Sequence, residues 1–282
     1  MTGFIGGGNM AEALIKGIVQ SSRHRRVAEA TKSRINNEII VSEPRADRRK
    51  YLEQAYGVKT TTSNKEVASS CNIIILTVKP QIMKQVLEEI NSAVTNDKTV
   101  VSIAAGITLS YLQSKLNTKK LIRVMPNTPA LVHEAMSVMS LCECFYDKDI
   151  NLAESSLRTV REIFMSIGKV LTLPEKYMNA VTALSGSGPA FIAFFIEAMV
   201  EGGVKSGLNK ENAYELAIQT LLGTARLFET GMPPEKLREM VTSSGGTTEA
   251  GLKVFEEKGF KDIVLSAIDT AVKRAEELGR RE

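Results

Sequence analysis

Six residues near the start constrain the fold more than any others: Gly6-Gly7-Gly8-Asn9-Met10-Ala11. They read Gly-x-Gly-x-x-Ala and follow a short apolar strand, Gly3-Phe4-Ile5-Gly6. Helical spacing begins inside them, at Met10, Leu14, Gly17 and Ile18. A strand, a glycine turn and a helix in immediate succession form the context in which this pattern holds a dinucleotide. Gly6 permits the tight turn, Gly8 lets the backbone approach a pyrophosphate, and Ala11 is small enough for helix and strand to pack closely. An open α/β domain is therefore the expected start of the chain.

The residues that follow agree. Apolar runs at Ile39–Glu43, Cys71–Val78, Thr99–Ala104, Leu121–Met125 and Lys169–Leu173 read as strands, several of them continuous enough for a buried parallel sheet. Ala46–Tyr56, a segment from Pro80 with apolar Ile82, Val86 and Ile90, and Asp149–Ser166 read as the intervening helices, and Thr108 caps another. Residues 20–38 are polar and weakly patterned and read as a frayed helix end with an extended loop. From about Leu173 strand-like runs vanish. Helical patterns then cover Glu175–Leu184, Pro189–Ser206, Lys210–Thr230, Pro233–Thr242, Gly245–Glu257 and Phe260–Glu282. The expected organisation is α/β plus all-α: a Rossmann-like domain over residues 1–172 and a helical domain over 173–282. The helix from Pro189 is apolar nearly all round, from Ala190 to Ile196, which calls for complete burial. A helical domain of about a hundred residues can hardly supply that alone, so a homodimer is expected.

Composition narrows the function classes. A net charge of +4, no Trp and 5% aromatic residues leave no nucleic-acid footprint, and Arg23-His24-Arg25-Arg26 reads as a solvated basic loop. Cys71, Cys142 and Cys144 make neither a disulfide framework nor a zinc site. With two histidines, His24 and His133, neither a metal site nor a Ser-His-Asp triad is expected. No signal peptide is apparent, and the apolar run Ala190–Val200 is short for a membrane span, so a reducing cytoplasm is the expected location.

The strand ends after Ile5, Val41, Val78, Ala104 and Met125 meet small or polar loops, where ligands of open α/β sheets bind. After the second strand the chain offers both an acid for ribose hydroxyls, Glu43, and cations for a 2′-phosphate, Arg45, Arg48 and Arg49. Those arginines suit the exposed face of the next helix equally well, so NADPH and NADH both remain open. A second candidate site lies late, at Val241-Thr-Ser-Ser-Gly-Gly-Thr-Thr-Glu-Ala-Gly251, where hydroxyls and glycines precede a helix. Unpaired N–H groups at such a helix start can take a carboxylate.

Taken together, six segments resemble the Δ1-pyrroline-5-carboxylate reductase family. They are Gly3–Ala11, Val78-Lys79-Pro80, Val101–Ile107, Met125-Pro-Asn-Thr-Pro129, Ala183-Leu-Ser-Gly-Ser-Gly-Pro-Ala190 and Val241–Gly251, in the family's order. The resemblance implies an N-terminal Rossmann domain, a helical domain intertwined with its dimer mate, and reduction of the cyclic imine to L-proline by NADPH or NADH. Larger assemblies of dimers stay open. It places the pyrophosphate on Gly6, Gly7, Gly8, Asn9 and Met10, and the adenosine ribose by Glu43, Arg45 and Asn64. Val78, Lys79, Pro80, Ala104 and Ala105 would line the rest of the groove. Glu175, Ser243, Gly246, Thr247 and Thr248 would form the substrate pocket, with the Thr248 hydroxyl bonded to the ring nitrogen as the one catalytic group. A free imine arrives protonated, so no His or Lys acid is assigned. Three departures stand out: Ser244 where many relatives have proline, Met240 where some have asparagine, and a longer 20–38 segment.

Three other readings compete with this one. A β-hydroxyacid dehydrogenase would need a lysine four residues past a glycine cluster, and the residue four past Gly188 is Ile192. A non-catalytic cofactor-binding paralogue sits badly with the intact Ser243, Gly246, Thr247 and Thr248. Reduction of another, six-membered cyclic imine is not separated by these residues.

Overall fold

The computed structural model describes residues 1–28, 39–145 and 151–280. Its helices and strands follow the chain as β1 (Thr2–Ile5), α1 (Asn9–Ala28), β2 (Ile39–Ser42), α2 (Ala46–Tyr56), β3 (Lys59–Thr61), α3 (Asn64–Ser70), β4 (Ile73–Leu76) and α4 (Pro80–Ile90). Then come β5 (Thr99–Ser102), α5 (Leu109–Lys115), β6 (Leu121–Met125), β7 (Ala135–Leu141), α6 (Asn151–Met165) and β8 (Gly168–Thr172). The helical remainder is α7 (Met178–Val181), α8 (Gly188–Lys205), α9 (Lys210–Glu229), α10 (Pro234–Val241), α11 (Thr247–Glu257) and α12 (Phe260–Arg280).

The strands form one sheet in the order β3-β2-β1-β4-β5-β6-β7-β8. Among the described residues only the β6–β7 pair is antiparallel. β1 sits between β2 and β4, so the chain reverses its direction of travel across the sheet there. That reversal is the switch point at which dinucleotides bind. β2, β4 and β5 are buried along their whole length, as expected of strands with helices on both faces. One core cluster gathers Phe4, Leu14, Ile15, Val41 and Phe164; another gathers Ile5, Ile74, Met83, Leu87 and Leu112.

Several sequence expectations are corrected. α1 runs on to Ala28, past the expected fraying point at residue 20; the rest of the expected 20–38 loop lies outside the described residues. The structure adds two strands that the sequence pattern does not mark, β3 and β7. β3 is three residues long and polar throughout, too short for a periodic signal. β7 follows a 3₁₀ turn that ends on His133 in the left-handed conformation (φ 63°). α4 buries Met83, Val86, Leu87 and Ile90, while Ile82 faces out. The expected helix Glu175–Leu184 is instead a 3₁₀ turn (Glu175–Tyr177), α7, and a π turn over Thr182–Gly186.

The chain divides into two units, Met1–Gly186 with Ala271–Glu282, and Ser187–Thr270. The strands end near residue 172, where the sequence placed its boundary, but the stretch up to Gly186 stays with the sheet. Glu175 bonds Arg123, and Asn127 donates to the Ser185 carbonyl at 3.2 Å. In the second unit only Ile196, Val200, Ala213 and Ala217 form a buried cluster, between α8 and α9.

Candidate active site

Because β1, β2, β4 and β5 are parallel, their carboxyl ends share one edge of the sheet. The turn Gly6–Gly8, residues Glu43–Arg45, Val78–Pro80 and Ala104–Ala105 all leave that edge, and Asn64 opens α3 directly after β3. Gly6 has φ +102°, and a Cβ there would lie 3.1 Å from the Thr77 carbonyl. Over Gly8 a Cβ would meet nothing within 4 Å. The open side of the turn is thus at Gly8, where a pyrophosphate needs room. The turn's carbonyls are held from behind: Thr77 Oγ1 donates to Ile5 O at 2.9 Å and Gly6 O at 2.7 Å, and Arg48 Nε donates to Gly7 O at 2.6 Å. The first bond closing α1 runs from Glu12 N to Gly8 O at 3.0 Å. The N–H groups of Asn9, Met10 and Ala11 therefore have no acceptor within the helix. An open glycine with donors beside it fits an anionic dinucleotide.

Glu43 is 5% exposed and both its oxygens are spent within the protein. Oε2 accepts from Gly7 N at 3.0 Å; Oε1 accepts from Arg45 N at 3.1 Å and Arg45 Nε at 2.9 Å. Burial opposes its charge, but the bonds from Arg45 and Gly7 together outweigh it and hold the carboxyl below its ordinary 4.5. Arg45 keeps 60% of its side chain exposed. Arg48 is spent on the glycine turn and on a short ion pair with Glu12, and Arg49 on the carbonyls of Glu43 and Pro44. Asn64 accepts from Ser42 Oγ at 2.5 Å and donates to Glu89 at 2.8 Å. Lys79 precedes Pro80 at the start of α4 and is exposed; Val78 packs near Gly6, Ala104 is buried and Ala105 is half-buried.

Glu175 lies in the first unit. Its Oε1 accepts from Leu109 N at 2.8 Å, at the start of α5, and from Arg123 Nη1 at 3.0 Å. Arg123, 4% exposed in mid-sheet, takes its compensating charge from Glu175. Removing one partner of such a pair typically costs about 3–5 kcal/mol.

In the second unit the late Ser/Gly/Thr stretch is a tight turn ahead of α11. Gly245 is left-handed (φ +71°) and its N–H donates to Glu249 at 2.6 Å. A Cβ on Gly246 would lie 2.5 Å from Ser243 Oγ, so this glycine lets the hydroxyl fold against the backbone. α11 closes its first bond from Ala250 N to Gly246 O at 3.1 Å, which leaves the N–H groups of Thr247, Thr248 and Glu249 without helical acceptors. Ser243 and Thr247 are exposed and Thr248 is half-buried. A cavity of about 810 Å³ opens on the turn, lined by Thr242, Gly245, Gly246, Glu249, Arg238 and Lys253, but not by Ser243, Thr247 or Thr248.

Three positioning residues carry no role in the sequence reading, Thr77, Arg123 and Asn127, and Arg48, read there as a cation for a 2′-phosphate, instead holds the Gly7 carbonyl. Arg123 carried a signal, because a cation inside the apolar strand Leu121–Met125 demands a partner. Asn127 also accepts from Met136 N at 3.0 Å and so ties the turn after β6 to the start of β7. Thr77 carried none; a threonine ending a strand says nothing of where its hydroxyl points. No cluster able to hold a metal occurs among the described residues.

A glycine turn at a parallel-sheet switch point, followed by a helical unit with a donor-rich turn, defines the class as a dinucleotide-dependent oxidoreductase with an added helical part. Residues 175–278 match the model "Pyrroline-5-carboxylate reductase dimerisation", and residues 1–106 the model "NADP oxidoreductase coenzyme F420-dependent". A Synechocystis protein named pyrroline-5-carboxylate reductase is 39% identical over 99% of this chain and 98% of its own length. The solved structure of a Coxiella burnetii pyrroline-5-carboxylate reductase aligns with a TM-score of 0.84 at 34% identity, over 98% of this chain and 97% of that one. That of a Plasmodium falciparum pyrroline carboxylate reductase with NADP bound gives 0.81 at 30%, over 99% and 97%. The chain belongs to the pyrroline-5-carboxylate reductase family.

Proposed function

We propose that the chain reduces 1-pyrroline-5-carboxylate to L-proline, the last step of proline synthesis, with NADPH favoured over NADH as the reductant. End-to-end similarity to enzymes of that name carries the reaction. The state of the Glu43–Arg45 pair carries the cofactor preference. An acid that discriminates for NADH must present its oxygens to the ribose hydroxyls, whereas Glu43 is buried with both oxygens turned to Gly7 and Arg45. Arg45 leaves a solvent-facing guanidinium at the same strand end, suited to a 2′-phosphate.

Bound NAD(P)H supplies the hydride. Gly8 and the N–H groups of Asn9 and Met10 hold the pyrophosphate, and Val78, Lys79, Pro80, Ala104 and Ala105 line the groove beyond it. Asn64, through its bond with Ser42, props the strand end at the ribose. The Ser243 hydroxyl and the N–H groups of Thr247 and Thr248 take the substrate carboxylate, while Gly246 N–H closes the turn onto the Ser243 carbonyl at 3.0 Å. The Thr248 hydroxyl faces the ring nitrogen, which arrives already protonated. Positioning then supplies most of the acceleration, and near-attack geometry contributes about 7–11 kcal/mol. Glu175 holds Arg123 and the start of α5 in place within the first unit.

The helical run Glu175–Lys205 is long and apolar enough, by length and composition alone, to cross a membrane. Its match to the dimerisation model favours a second copy of the chain as what covers it, and the three free cysteines suit a reducing cytoplasm. Loss of nicotinamide absorbance on adding the imine tests the reaction; no oxidation of either cofactor by the dimer would sink it. Thr248→Val is expected to lose at least about a hundredfold in kcat, the scale of one positioned polar group. Its cofactor affinity, read by fluorescence titration, should stay unchanged.

A further inference from the structure

We infer that Cys142 and Cys144 form a reversible dithiol–disulfide pair, a modification site on the first unit separate from the cofactor edge. Their sulfurs are 2.8 Å apart, within about 1 Å of the S–S bond length. The approach is built into the fold. β7 ends at Leu141, and a 3₁₀ turn over Glu143–Phe145 brings residues 142 and 144 to one side. Both thiols donate to the same acceptor, the Lys119 carbonyl, Cys144 at 2.8 Å. Cys142 is further pinned through its backbone, whose N–H donates to Leu121 O at 3.1 Å. The two side chains are half-buried and open onto a cavity of about 590 Å³ that also reaches Ser110, Gln113, Lys119 and Glu175. Small oxidants and thiols can enter there. Cys71, by contrast, is fully buried and supplies an internal control.

The chemistry uses a hydroperoxide as oxidant. Burial and the neighbouring Cys142 thiol push the Cys144 thiol up to about 12, so Cys144 brings its proton to the second step. Cys142 sulfur takes one peroxide oxygen as the O–O bond breaks, giving Cys142–SOH and one water. Cys144 sulfur then displaces that hydroxyl, which leaves as water with the Cys144 proton, and the S–S bond forms. Two thiols are oxidised by two electrons and one peroxide is reduced to two waters. Two residues of spacing make a small, strained ring, and such exposed bonds have high potentials and are readily reduced. That suits a switch in a reducing compartment, where lasting disulfides are rare.

The test treats the intact protein with hydrogen peroxide and counts thiols before and after dithiothreitol. The expected result is loss of two thiols of three, a mass lower by two hydrogens, and a Cys142–Cys144 link in the peptide map, all reversed by dithiothreitol. Cys71→Ser should leave the link intact, while Cys142→Ser and Cys144→Ser should each abolish it. Closure should also slow several-fold in guanidinium, since the fold supplies the approach. Three thiols still free, sulfinic acid without a link, a link between chains, or equal rates in the unfolded chain would each overturn the assignment.

Discussion

Glu43 and Arg45 show how far a residue's type can mislead about its task. An acid after the second strand reads as a ribose ligand, yet this one braces the glycine turn through Gly7 and orients Arg45. Sequence could show that Glu43 and Gly7 both occur; it could not show that the chain folds one onto the other. Arg45→Ala is expected to weaken NADPH binding about tenfold and NADH binding by less than about twofold. Fluorescence titration with both cofactors decides it, and equal losses would return Arg45 to a simple surface role. The acids also set the response to low pH. Burial opposes the charge of Glu12, but bonds from Tyr56, Arg48 and Tyr51 hold it, like Glu43, below its ordinary 4.5. The folded chain therefore binds these protons less readily than the unfolded chain. The stability they lend is present above about pH 4.5 and is lost as pH falls through the lowered folded values. Denaturant midpoints at about pH 6 and about pH 3 should differ more for the parent than for Glu12→Gln.

At the scale of elements, the sequence was most legible where apolar runs and turn chemistry agreed. The Gly-x-Gly-x-x-Ala turn, β6, α2 and the Thr108 cap of α5 all fall as read. What escaped was context-made: β7 is held by pairing with both β6 and β8, and the 175–186 stretch winds into 3₁₀ and π turns while its side chains reach back to Arg123 and Asn127. The turn before α11 is legible as a hydroxyl- and glycine-rich helix start, but not in the division of labour between its glycines. Gly245 needs a left-handed backbone and has space around it; Gly246 has an ordinary backbone and no space beside Ser243. Gly245→Ala should therefore cost about 1 kcal/mol, roughly 2 °C in Tm, with KM for the imine little changed. Gly246→Ala should displace the Ser243 hydroxyl and raise KM about tenfold, equivalent to about 1.4 kcal/mol, at nearly the parent Tm. Melting curves and steady-state kinetics on the two variants separate strain from steric displacement, and matching effects would refute the division.

For the whole molecule the deciding quantity is apolar surface without a partner. The helical unit buries a cluster of only four residues, yet Phe194 is 75% exposed, Ile263 60%, Leu216 57% and Leu265 56% in the single chain. Phe191, Phe195, Phe255, Phe260 and Ile263 border an open apolar cavity of about 500 Å³, with Phe255 and Phe260 stacked at 5.0 Å. Monomers rarely leave contiguous apolar surface of this kind in water. The all-round apolar pattern of α8 was legible as a demand for burial, and that demand implied a second copy; which side chains meet it was not, because a single chain's periodicity cannot distinguish its own core from a partner's. The match of residues 175–278 to the dimerisation model gives the same answer from the family's side. Phe194→Asp would place a charge where burial is required, a cost of several kcal/mol against association. Light scattering should then show the particle mass falling to that of one chain, 30.8 kDa, with parent-like binding of NADPH to the glycine turn. Turnover should fall with the dimer fraction and recover as protein concentration rises. A Phe194→Asp protein that remains a full dimer at low micromolar concentration would show that α8 packs its exposed face some other way.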